Sequence, residues 1–152
     1  MHFLKTEQTL PIDIKTAWDF FSSPDNLKII TPGNMGFDIT SEYREEKMYP
    51  GMIITYTVKP LLGIPLKWVT EISHVDEPHY FVDEQRFGPY AFWHHQHKFY
   101  EVPGGVKMVD ILHYKVKFGF IGKIMNSLIV AGELRKIFGY RYRKLEEMFG
   151  KL

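Results

Sequence analysis

The sequence predicts an α+β domain in which a curved antiparallel sheet of seven strands wraps around one long C-terminal helix. Three observations carry this. The tail from Gly122 to Phe149 repeats apolar residues in steps of three and four, at Ile121, Ile124, Leu128, Ala131, Leu134, Phe138, Tyr142, Leu145 and Phe149. That spacing is one continuous helical face. The middle of the chain, from Phe37 to Phe118, instead alternates with a period of two between short Gly/Pro turns, the mark of an antiparallel meander. The start combines one strand with two short helical patterns.

The elements follow in order. His2–Leu10, rich in Phe, Thr and Leu, is a first strand closed by Pro11. Asp13 caps a helix whose inner face is Ile14, Ala17, Trp18 and Phe21, at the spacing i, i+3, i+4, i+7. Ser23-Pro24 stops it and opens a second short helix, Asp25–Ile30, which ends at Pro32-Gly33. Six strands come next: Phe37–Tyr43; one containing Ile54, Tyr56 and Val58; one containing Trp68, Thr70 and Ile72; Phe81–Phe87; Ala91–Val102; and Val106–Phe118. The closing helix spans roughly 40 Å at 1.5 Å per residue, so only a broad surface can cover its stripe. Its other side carries Lys123, Glu133, Lys136, Arg143, Lys144 and Glu147, and Arg135 and Arg141 are assigned to solvent with them. Gly132 and Gly139 inside it each cost about 1 kcal/mol relative to alanine, which implies close approach to the sheet or a kink.

Residues 1–152 form one domain on this reading, long enough to bury roughly 70% of the unfolded surface. A net charge of +1 gives no footing for nucleic acid or an anionic membrane. The absence of cysteine excludes disulfides, thiol catalysis and thiolate metal sites. Met1–Leu10 mixes Lys5, Glu7 and Gln8 into its apolar residues and is not a signal peptide pattern. No apolar run approaches the roughly 18 residues of a bilayer span, so the expected location is the cytoplasm. Aromatic residues make up 16% of the chain, which suits a thick core or a cavity lined for an apolar ligand.

Alternation assigns the inner face. On the sixth strand Trp93, His95, His97 and Phe99 go inward, because the other face carries Lys98. On the seventh, Met108, Asp110, Leu112, Tyr114 and Val116 go inward by the same argument. Directly opposed residues of an antiparallel pair share a face. A tight turn at Pro103-Gly104 sets Val102 against Gly105, hence His97 against Asp110, His95 against Leu112 and Trp93 against Tyr114. A one-residue bulge at the glycines would break that register.

The predicted interior therefore holds Asp83, Gln85, His95, His97, Asp110 and Tyr114 among aromatic rings. Three arrangements satisfy such groups. Asp110 and His97 can form a hydrogen-bonded pair closed by Gln85 and Tyr114. The same groups can line a water-containing cavity and fix the polar end of an apolar ligand. Or His95-x-His97, on one strand face, can join Asp110 in holding zinc or iron. The reading adopted assigns no metal and no cofactor. His2, His74, His79, His94 and His113 fall at strand ends or outer faces, and no nucleophile elbow, phosphate loop, dinucleotide fingerprint or zinc-protease motif is present.

Several runs resemble those of a known group: Phe81-x-Asp-x-Gln85, Gly88-Pro-Tyr90, Trp93-x-His-x-His-x-Phe99, Asp110-x-x-x-Tyr114 and Phe138-Gly-Tyr-Arg141. They are similar to the bacterial ligand-binding members of the START/polyketide-cyclase (SRPBCC) superfamily, over nearly the whole chain. The resemblance implies the helix-grip fold and no metal. It spans lipid carriers, hormone receptors, aromatic cyclases and hydrolases, so the fold alone assigns no activity.

The expected function is binding or carrying a small hydrophobic molecule, such as a lipid, isoprenoid or polyketide-like aromatic. Tyr56, Trp68, Phe81, Trp93 and Phe138 supply apolar contact; Asp83, Gln85, His95, His97, Asp110 and Tyr114 orient a polar end. The alternative is a cyclase or dehydratase. There His97, made more basic by Asp110, moves a proton while Tyr114 donates to a developing enolate. Expected partners are a small hydrophobic ligand, with no nucleic acid and no stable membrane insertion, and a homodimer is left open. Two apolar loops, Leu61–Pro65 and Phe118–Gly122, are candidates for a hinged rim.

Overall fold

Seven strands form one antiparallel sheet in the computed structural model, which describes residues 1–42, 47–59, 63–117, 119, 124 and 129–152. They are β1 (His2–Leu10), β2 (Asp38–Ile39), β3 (Met52–Val58), β4 (Leu66–Asp76), β5 (Tyr80–Phe87), β6 (Tyr90–Val102) and β7 (Gly105–Val116). Their order is β1-β7-β6-β5-β4-β3-β2, so the meander runs to β7 and β1 pairs beside it. Helices α1 (Ile14–Phe21) and α2 (Asn26–Ile29) lie between β1 and β2, followed by a 3-10 turn at Gly33–Met35; α3 is Ala131–Phe149.

The local chemistry matches the predicted punctuation. Asp13 caps α1, its Oδ1 accepting from the Thr16 amide at 2.8 Å and its Oδ2 from the Thr16 hydroxyl at 2.9 Å. The β6–β7 hairpin has the two-residue turn and the predicted register, with Val102 opposite Gly105, His97 opposite Asp110 and Trp93 opposite Tyr114. Gly105 is required there: a Cβ on it would lie 2.0 Å from the Leu10 carbonyl oxygen, where β1 passes.

Three expectations are corrected. The second strand is only Asp38–Ile39, because Ser41 Oγ takes the Thr55 amide at 3.0 Å while the Thr40 and Ser41 amides both turn to the Thr55 carbonyl. Tyr43 lies outside the described residues. On α3 the buried stripe is Leu134, Phe138 and Leu145, and Tyr142 is 42% exposed. The place between Phe138 and Leu145 is taken by Arg141, three residues after one and four before the other, and not by the expected aromatic. The remainder of the predicted helix, 122–123 and 125–128, lies outside the described residues, as do 60–62, 118 and 120–121, and with them two residues of the first predicted rim loop and four of the second. No helix among the described residues is long and apolar enough to cross a membrane.

The core has two parts. Trp18, Phe21, Phe81, Phe99, Met108 and Leu145 anchor one cluster, with the Trp18 ring edge-on to Phe81 and Phe99 at 6.0 Å. Leu112, Tyr114, Val130, Leu134 and Phe138 form the other, under α3. Along β7 the inward residues therefore run Met108, Asp110, Leu112. The one charged position falls at the seam between the clusters.

Candidate functional site

Register brings four polar residues to that seam. Asp83 on β5 stands opposite His95 on β6, and His97 stands opposite Asp110 on β7. The closer contacts are the diagonal ones. His97 Nε2 donates to Asp83 Oδ2 at 2.7 Å, and His95 Nε2 lies 2.9 Å from Asp110 Oδ1. The square is completed by His97 Nδ1 at 3.0 Å from Asp110 Oδ1 and His95 Nδ1 at 3.4 Å from Asp83 Oδ2. Trp93 Nε1 donates to the other Asp83 oxygen at 3.1 Å. Arg141 reaches down from α3 to within 3.5 Å of Asp110 Oδ1.

The imidazole rings are 3.9 Å apart, with His95 3% and His97 6% exposed. At that separation in a dry site two positive charges repel strongly, so one ring carries the charge. Burial opposes ionisation of every member. Against it, the hydrogen bonds that His97 donates to Asp110 and Asp83 push His97 up, while burial and the neighbouring His97 charge push His95 down. The imidazoles hold Asp83 below its usual range despite burial, and those same rings with Arg141 hold Asp110 well below. The contacts thus favour the positive charge on His97 over His95, set between two carboxylates and the Arg141 guanidinium.

A cavity of about 560 Å³ opens beside this group, between the inner face of β3–β6 and α3. Its wall is mainly apolar. Tyr56, Trp68, Phe81, Trp93 and Phe138 all line it, together with Asp83, His95 and His97. Trp68 is the hub of the aromatic part: it stacks on Tyr56 at 5.8 Å and meets Trp93 edge-on at 5.1 Å. Its indole N–H is buried and has no hydrogen-bond partner among the described residues. Tyr56 donates to or accepts from Thr70 at 3.1 Å, and burial pushes its phenol far up.

Three of the predicted residues lie elsewhere. Gln85 holds the β5–β6 corner, its amide donating to the Tyr90 carbonyl at 2.8 Å and accepting from the Tyr90 amide at 3.1 Å. It is therefore not part of the carboxylate–imidazole square. Tyr114 packs in the second cluster, edge-on to Tyr90 at 5.9 Å. Asp110 is absent from the wall of the large cavity and lines a smaller cleft of about 200 Å³ between β1, β7 and α3.

The sequence matches no protein-family model and no curated protein. Solved structures match along the whole chain. The fold is similar to that of a START superfamily protein from Mycobacterium smegmatis, 13% identical with a TM-score of 0.70 over 97% of this chain and 99% of that one. The chain has the helix-grip fold of the START-like (SRPBCC) superfamily. A protein from Chromobacterium violaceum gives a TM-score of 0.71 at 9% identity, over 99% of this chain and 98% of that one. Ginseng major latex-like protein 151 from Panax ginseng gives 0.69 at 14% identity, over 97% of each chain.

Within this helix-grip frame the sequence reading missed Arg141. Its charge argued for solvent, yet it is the residue i+7 from Leu134 and i+3 from Phe138, on the buried face. That spacing was the available signal. The reading also failed to pair Asp83 with the histidines, because the β5–β6 corner carries an irregularity that residue counting does not reveal.

Proposed function

We propose that the protein binds a small, mainly apolar molecule bearing a polar group, held in the cavity between the sheet and α3. The observation that carries this is the cavity itself: about 560 Å³, within the range of roughly 300–1,000 Å³ typical of small-molecule sites. Its aromatic wall supports an apolar body such as an acyl chain, an isoprenoid or a fused-ring aromatic. The unpartnered Trp68 N–H and the Asp83–His95–His97 edge support a polar end.

The acid–base alternative has less support. Both ring nitrogens of His97 lie within 3.0 Å of carboxylate oxygens, which leaves no free lone pair to take a substrate proton. Tyr114, its proposed donor, is outside the cavity wall.

The test is native mass spectrometry of freshly purified protein, with organic extraction of anything retained. A reproducible apolar adduct supports the reading. If none is found, a fluorescent apolar probe is titrated into wild type and Leu134→Trp, which fills the cavity; equal affinity of the two proteins sinks it.

A further inference from the structure

The polar square has two faces of different character. Asp83, His95 and His97 line the cavity, whereas Asp110 does not. Each imidazole turns one nitrogen toward Asp83 Oδ2, His97 Nε2 at 2.7 Å and His95 Nδ1 at 3.4 Å. Each turns its other nitrogen toward Asp110 Oδ1, His97 Nδ1 at 3.0 Å and His95 Nε2 at 2.9 Å.

Three donors converge on the cavity side. His97 Nε2 and His95 Nδ1 both approach Asp83 Oδ2, at 2.7 and 3.4 Å. Nitrogen and carboxylate donors gathered this closely in a buried site suit a positive centre. One ligand atom each from Asp83, His95 and His97 lie within 4.8 Å of one another.

We propose that Asp83, His95 and His97 bind a divalent late first-row metal cation, with Asp110 as the shared outer carboxylate that orients both imidazoles. Nitrogen and oxygen donors sit roughly 2.0–2.2 Å from zinc, so neighbouring donors of a tetrahedral ion are about 3.4 Å apart. The His95–Asp83 spacing has that value. The His97–Asp83 spacing of 2.7 Å opens by about 0.7 Å as the ion replaces the proton of that hydrogen bond, and the widest donor pair, within 4.8 Å, closes onto the ion. Two imidazoles and one carboxylate favour zinc, iron or nickel over calcium or magnesium.

The surroundings fit the same role. A metal-bound histidine normally passes its other ring N–H to a carboxylate, and here one Asp110 oxygen serves both rings. Trp93 Nε1 fixes the free oxygen of Asp83, leaving the other to the ion. The charges of Asp83 and Asp110 offset a dication, and Arg141 leaves one positive charge over. The open coordination position faces the cavity and so takes an anionic oxygen: hydroxide, or the carboxylate or enolate end of a cargo. This site does not depend on the cavity holding an apolar molecule.

The test uses tag-free protein stripped with a chelator and titrated with Zn²⁺ by calorimetry, and with Co²⁺ by visible absorption. Expected is one equivalent bound, with Co²⁺ bands of a four- or five-coordinate site. His97→Ala and Asp83→Asn abolish both signals, Asp110→Asn weakens binding roughly 10–100-fold, and His94→Ala on the outer face changes neither. Circular dichroism confirms that each variant is folded; Asp83→Asn keeps the side-chain shape should the alanine variant fail. No saturable binding by wild type, or binding retained by both Asp83→Asn and His97→Ala, overturns the proposal. Either result leaves the apolar-probe titration readable, so the metal and the cargo fail separately.

Discussion

Arg141 on α3 places its guanidinium 3.5 Å from Asp110 on β7, tying the closing helix to the polar seam of the sheet. This is the one ion pair between α3 and the sheet among the described residues, and its side chain is only 13% exposed. Arg141→Met removes it while keeping much of the aliphatic volume. Asp110 then keeps its imidazoles but loses a countercharge, and a loss of about 2 kcal/mol is expected. The midpoint of urea unfolding measures it; an unchanged midpoint would mean that the bridge is electrostatically idle.

The pair of imidazoles predicts a pH profile for the metal-free protein. In the folded state they share one proton, His97 being raised and His95 lowered from the ordinary value of 6.5. Above pH 6.5 the unfolded chain releases both protons while folded His97 keeps its own, so stability falls as pH rises. Below pH 6.5 the unfolded chain gains a proton that folded His95 refuses, so stability falls as pH drops. The lowered Asp83 and Asp110 add a further loss as pH falls through the carboxylate range, from 3.8 downward. Urea unfolding across pH 4–9 should therefore peak near pH 6.5, and His95→Gln should remove the loss that sets in as pH falls below 6.5. A monotonic profile in wild type would contradict the shared proton.

Trp68 separates stability from binding. Its buried indole N–H has no partner among the described residues, and such a donor costs about 1–3 kcal/mol. Trp68→Phe removes the donor together with part of the ring. Melting of the empty protein should move by no more than a few degrees. Affinity for a carbonyl-bearing apolar probe should fall about tenfold more than affinity for the matching hydrocarbon. Equal losses for both probes would assign Trp68 to shape alone.

Gly105 tests the β1–β7 contact. Gly105→Ala forces a Cβ into the Leu10 carbonyl, with 2.0 Å available, and is expected to cost about 2–4 kcal/mol. Gly33→Ala, which meets nothing within 4 Å, is the control and should stay within about 0.5 kcal/mol.

Much of this architecture is legible from alternation and turns. The Pro103-Gly104 turn has a fixed length, so pairing His97 with Asp110 needs only counting. The β5–β6 connection does not close so regularly: Tyr80↔Lys98 and Asp83↔His95 are offset from what a two-residue turn at Gly88-Pro89 would give, and β6 shifts register between Tyr90 and Phe92. Asp83 was therefore placed on the correct face but not beside the imidazoles. Arg141 illustrates a different limit. Helical periodicity locates a stripe to within a residue or so, and whether position 141 or 142 lies over the inward Asp110 depends on the rotation of the helix, which periodicity does not set.

The strand order has a consequence for synthesis. The two histidines and Asp110 come from one hairpin, a local structure that closes within microseconds once made. Asp110 is then flanked by Thr6 from β1 and by Arg141 from α3, near opposite ends of the chain. A nascent chain halted after β7 carries two imidazoles and two aspartates without the guanidinium of Arg141, and with apolar Leu112 and Tyr114 still uncovered. Until α3 emerges, such an intermediate exposes apolar surface that the finished fold buries, and aggregation is the hazard of that interval.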